Sequence, residues 1–124
     1  MRRVAGEPDV ALAVDGERVD DAFRVDVRPD RRRVLVCPIG EIDLATAGDV
    51  EQHVAELLDE GFGHVVVDLR GVSFLDSSGV RLMVVAHERA RRAGARLSLI
   101  LGSPRSARAL ELSGVLDVLE IIDR

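Results

Sequence analysis

Val65-Val66-Val67-Asp68-Leu69-Arg70-Gly71-Val72-Ser73-Phe74-Leu75-Asp76-Ser77-Ser78-Gly79 decides the fold of this chain. A run rich in β-branched residues gives way to a small polar cluster, and from Val80 onward the apolar residues recur at helical spacing. The stretch reads as a strand, a connection and the start of a helix. Val65 to Leu69 is apolar on both faces, as a central strand covered on both sides would be. Ser77 and Ser78 then fall where a helix leaves its first amide donors unpaired, behind the carboxylate of Asp76 and ahead of Gly79, which has no side chain. A hydroxyl at such a place is exposed, and a phosphate on it is tolerated locally. On the residues alone Ser77 is either a capping residue or a modifiable one, and Ser78 is the preferred cap.

Working outward, the helix after Ser77 carries Val80, Met83, Val84 and His87 on one face, widened by Leu82, Val85 and Ala86. Arg81, Glu88, Arg89 and Arg92 are left outside, and Gly94 ends the helix. His87 lies on or beside the apolar face, where a hydrogen-bonded core histidine is the expected role. Arg96 to Leu101 reads as the next strand. Ser103-Pro104 is a cap followed by a proline in the first turn, and its helix continues through Ala107, Leu110 and Glu111 to Ser113-Gly114. Leu119 to Ile122 makes a last strand.

Toward the N-terminus, Val50, Val54, Leu57 and Leu58 are spaced as one face of a helix, with Thr46 or Asp43 as its cap and Gly61 at its end. Phe62 is expected to pack back on the core. His53 has no histidine or cysteine at ligand spacing and reads as a surface or half-buried residue. Phe23 to Arg28 alternates apolar and polar residues, Val34 to Val36 is a second strand, and Pro29-Asp30 reads as the turn between them. Pro38 is expected to end or bulge the second strand, because it has no N–H for a ladder. Cys37 beside it reads as a small buried hydrophobe. Asp68 ends its strand as a carboxylate that bonds loop amides. A receiver-type acceptor is set aside there, because that chemistry calls for a lysine and the chain has none.

Together these elements predict an α/β sandwich: a mixed sheet of about five strands with an opening hairpin and mostly parallel pairing, packed with helices. Residues 1–21 read as a flexible N-terminal arm and 22–124 as the folded domain.

Composition narrows the function. The chain has 124 residues, 47% hydrophobic and 31% charged, enough for one packed core. A formal charge of -5, a pI near 5.2 and 2% aromatic residues argue against nucleic acid as a partner. Cys37 is the only cysteine, so no internal disulfide forms and no Cys/His metal site is spelled out. No secretory leader or membrane-spanning run is legible, and a cytoplasmic protein without a membrane partner is expected. The basic residues are all arginines, which excludes Schiff-base and P-loop lysine chemistry. A serine hydrolase is disfavoured, since Ser77 lacks the Gly-x-Ser-x-Gly elbow and an evident base. No enzyme activity and no cofactor are expected.

Three landmarks, Gly40-Glu41-Ile42-Asp43-Leu44-Ala45-Thr46-Ala47, Val72 through Val80, and Ser103-Pro104 through Leu110 to Ser113-Gly114, resemble those of the STAS-domain anti-sigma factor antagonists of bacteria. The likeness runs from about Phe23 to the C-terminus. It implies a partner-switching regulator that binds an anti-sigma factor, usually a serine kinase of the histidine-kinase ATPase type, and so frees a sigma factor. It further implies phosphorylation at Ser77, the serine directly after the Asp, and a metal-dependent serine phosphatase that restores binding. Asp43, Asp76, Ser78 and Gly79 match family positions near that surface, and Arg81, on the outside of the same helix, is assigned to it with them. Related domains also serve as scaffolds in sensory complexes or as accessory subunits of lipid transporters. Pro38 close to the Gly-Glu-Ile-Asp loop, and the N-terminal arm, are departures from the family pattern.

Overall fold

The computed structural model describes residues 23–123. The predicted arm, 1–21, lies outside the described residues. In chain order the elements are β1 (Arg24–Asp30), β2 (Arg33–Ile42), α1 (Ala47–Asp59), β3 (His64–Asp68), a 3-10 turn (Leu69–Gly71), β4 (Val72–Leu75), α2 (Ser77–Arg92), β5 (Arg96–Ile100), α3 (Pro104–Leu112) and β6 (Glu120–Ile122). The strands form one six-stranded mixed sheet in the order β1-β2-β3-β5-β6, with β4 paired to the far end of β2. Only β1 with β2 is antiparallel; β2 with β3, β2 with β4, β3 with β5 and β5 with β6 are parallel.

One face of the sheet holds the main core. Val34, Val36, Val65, Val67, Leu97 and Leu99 meet Val50, Val54, Leu57 and Leu58 of α1, Val80, Leu82, Met83, Ala86 and Ala90 of α2, and Leu110 of α3. Burying a side chain such as Met83 or Leu110 contributes about 1.5–3 kcal/mol, so these three helices are held mainly by their apolar faces. Residues between them in the strands, Leu35, Cys37, Val66 and Ile100, form a second small cluster on the opposite face. Phe62 packs against the main core, as its place after Gly61 suggested.

Four details differ from the sequence reading. The hairpin turn falls at Arg31 and Arg32, with Pro29 and Asp30 inside β1. Pro38 neither ends nor bulges β2; it is buried in mid-strand, opposite Val25. On its other side β2 pairs with β3 only up to Val36 and with β4 only from Gly40, so no ladder partner on that side requires the missing N–H. The irregularity sits at Gly40/Glu41, where Gly40 has a φ of 114°. Leu69 belongs to the 3-10 turn and Val72–Leu75 is a strand of its own, which raises the strand count from five to six.

Candidate functional site

The predicted site residues gather at the end of the sheet where β2 and β4 finish. Ile42 and Leu75 are register partners at the ends of these parallel strands. The chain continues from one into the loop bearing Asp43 and from the other into Asp76 and α2. A backbone bond joins the two exits: the N–H of Asp76 donates to the carbonyl of Ile42 at 3.1 Å.

Asp76, in extended conformation, is the N-cap of α2. Its Oδ1 accepts from the N–H of Ser78 at 2.8 Å and of Gly79 at 3.2 Å, so the orphan donors of the first turn are satisfied by this carboxylate. The capping role expected of Ser78 is therefore corrected to Asp76; Ser78 is half-buried in the first turn. Ser77 is the first helical residue and exposed. Its hydroxyl makes no hydrogen bond among the described residues, since the adjacent carboxylate already does the capping.

Gly79 is buried, and its lack of a side chain is required. A Cβ there would stand 2.5 Å from Leu75 Cδ1 and 2.8 Å from Leu75 Cγ. The glycine lets the helix start settle directly on the ends of β2 and β4, which fixes where Ser77 emerges. Arg81 is exposed in the same helix.

Asp43 is half-buried and organises its loop. Its Oδ1 accepts from the N–H of Ala45 at 3.0 Å and of Thr46 at 3.2 Å, while its own N–H donates to Thr46 Oγ1 at 2.9 Å. Thr46 Oγ1 donates onward to the carbonyl of Glu41 at 2.8 Å. Thr46 is the N-cap of α1 by position but makes no side-chain cap bond; Asp43 supplies the bond to the loop instead. The sequence reading passed over Leu44, which this loop leaves 83% exposed. Its signal was there: a large apolar residue inside a polar turn.

Other titratable groups lie apart from this end. Asp68 is buried and accepts from Arg70 through its backbone N–H at 3.0 Å and its guanidinium at 2.7 and 2.9 Å, which holds the Asp68 carboxyl below its ordinary range. The loop-amide role expected for Asp68 is thus present, with an ion pair added. Burial, then the Asp68 charge, raises the Cys37 thiol and keeps it unreactive. His64 Nε2 lies 2.8 Å from Ser98 Oγ, and burial, then the Arg96 charge, lowers its pKa. His87 is not the hydrogen-bonded residue expected: its Nδ1 is buried with no partner among the described residues. His53 is half-buried, its Nδ1 2.8 Å from the Asp49 carbonyl oxygen. No group of three or more metal-ligating side chains occurs among the described residues, and no helix there is long and apolar enough to cross a membrane.

Comparison with known proteins agrees with this architecture. The anti-sigma-B factor antagonist of Bacillus subtilis is 28% identical over 99 residues, spanning 80% of this chain and 90% of that protein. An anti-sigma factor antagonist from Mycobacterium paratuberculosis superposes with a TM-score of 0.75 at 23% identity, covering 84% of this chain and 88% of its own. The unphosphorylated form of the anti-sigma factor antagonist SpoIIAA superposes with a TM-score of 0.65 at 22% identity, covering 82% of this chain and 88% of its own. The family pattern of the STAS domain matches residues 24–124, and the chain therefore belongs to the STAS domain family.

Proposed function

We propose that this protein is a non-enzymatic anti-sigma factor antagonist, which binds an anti-sigma factor with serine kinase activity while Ser77 carries a free hydroxyl. Phosphorylation of Ser77 by that kinase ends binding, and a serine phosphatase restores it. The docking surface comprises Asp43, Asp76, Ser78, Gly79 and Arg81 around Ser77.

The observation that carries this reading is the division of labour at the start of α2. Asp76 satisfies the first amides, so the exposed Ser77 hydroxyl has no structural duty and can be esterified without unfolding the helix. A phosphate there adds about -1.5 to -2 charges at the positive end of a helix dipole, which the fold accepts. A docked partner does not accept it as readily. The group meets the neighbouring Asp76 carboxylate and must shed water to enter an interface; losing about 3 kcal/mol weakens binding more than a hundredfold. The switch is therefore local exclusion by charge and size, with no refolding of the domain.

Affinity purification from the native host with Ser77→Ala and Ser77→Asp baits, followed by mass spectrometry, tests this. An anti-sigma factor kinase retained by the Ala bait and lost by the Asp bait is the expected result. Identical partners on both baits, or transporter subunits, would overturn the proposal.

A further inference from the structure

We propose that Leu44 is the apolar anchor of this docking surface, the side chain that the anti-sigma factor takes into an apolar pocket of its own. The inference rests on the function proposed above and adds to it the source of affinity, as distinct from the switch.

Leu44 is the most exposed large hydrophobic side chain among the described residues, at 83%. An exposed leucine alone is ordinary on a protein surface. The loop around this one is what gives it meaning. Asp43 Oδ1 holds the amides of Ala45 and Thr46, Thr46 Oγ1 bridges the Asp43 N–H and the Glu41 carbonyl, and the Asp43 carbonyl accepts from the N–H groups of Thr46 and Ala47. The backbone on both sides of Leu44 is pinned while its side chain stays in water. A side chain presented on a fixed loop loses little freedom on docking. Among the residues that follow, Ala45, Ala47 and Gly48 are small.

Its place ties it to Ser77. Ile42 and Leu75 are register partners on adjacent parallel strands, Leu44 comes two residues after the first, and Ser77 two residues after the second. The bond from the Asp76 N–H to the Ile42 carbonyl closes the gap between the two exits. A partner that reaches Ser77 therefore meets Leu44 on the same rim. Leu112, 73% exposed at the last residue of α3, offers a comparison of similar exposure on a different element.

The test is isothermal titration with the purified anti-sigma factor kinase recovered on the Ser77→Ala bait, against the unphosphorylated full chain and its variants. Leu44→Ala is expected to weaken binding about ten- to hundredfold, as the loss of a buried leucine does. Leu44→Met should stay within about threefold of the parent, because it keeps the volume and polarity of the site. Leu112→Ala should bind as the parent does. In phosphorylation assays with that kinase, Leu44→Ala should raise KM for the protein and leave kcat close to the parent value. Parent-like affinity for Leu44→Ala, alongside lost binding for Ser77→Asp, would overturn the anchor and leave the switch standing. If neither the parent chain nor Ser77→Ala recovers an anti-sigma factor, the function proposed above fails and the anchor falls with it.

Discussion

The backbone N–H of Asp76 donates to the carbonyl of Ile42 at 3.1 Å, and this single bond joins the two chain segments that form the candidate docking surface. On one side lies a loop braced by Asp43 and Thr46, on the other a helix start capped by Asp76. Both segments leave adjacent parallel strands at paired residues, so the sheet itself sets their separation. Both exits are held by hydrogen bonds within the domain, so the charged group proposed for Ser77 would be presented at a set place on this surface.

Removing the cap should destabilise the helix start. Asp76→Ala deletes the acceptor for the Ser78 and Gly79 amides and should cost about 1–2 kcal/mol, measured by urea denaturation. Ser78→Ala should stay within about 0.5 kcal/mol of the parent. A larger loss for Ser78→Ala than for Asp76→Ala would show that the cap is assigned to the wrong residue.

Two glycine substitutions should act with opposite sign. Gly79→Ala places a Cβ 2.5 Å from Leu75 Cδ1 in the core, and the overpacking should cost about 1–3 kcal/mol despite the better helix propensity of alanine. At Gly48, in the first turn of α1, an added Cβ meets nothing within 4 Å. Gly48→Ala should therefore gain about 0.5–1 kcal/mol. Thermal melts of the two variants, one below and one above the parent, check this.

The pair Asp68 and Arg70 makes stability depend on pH. The carboxyl of Asp68 is held below its ordinary value in the folded state, chiefly by hydrogen bonds from the Arg70 guanidinium. Its contribution is complete above the unfolded carboxyl value, about 3.9, and is lost as pH falls below that through the lower folded value. Asp68→Asn should lower stability by about 1 kcal/mol at pH 7, and its loss of stability below pH about 4 should be shallower than the parent's. Denaturation midpoints measured from neutral to acid pH distinguish the two curves; parallel curves would contradict the assignment.

Much of this molecule was legible in the sequence because its elements carry strong periodicity. The stripe of Val50, Val54, Leu57 and Leu58, the apolar strand after His64 and the Ser103-Pro104 helix start all lie where they were expected. What escaped had weak local signals. β4 has only four residues, two buried, one half-buried and one exposed, too few to show alternation. The hairpin turns at Arg31, whose φ of 62° is unusual for a residue with a side chain, so Pro29-Asp30 offered the stronger turn chemistry and misled. Pro38 sits in mid-strand because β2 changes partner there, a tertiary fact that no local rule contains. Serine and aspartate are both good caps, and nothing in Asp76-Ser77-Ser78 ranks them; only the backbone geometry does.

The most direct test of the account is the affinity of the kinase-type anti-sigma factor for this protein before and after stoichiometric phosphorylation of Ser77, with a crystal structure of the phosphorylated form. A loss of binding of more than about a hundredfold is expected, with the domain otherwise superposable on its unmodified form. Equal affinity for both forms would contradict the switch, and a refolded domain would contradict local exclusion as its mechanism.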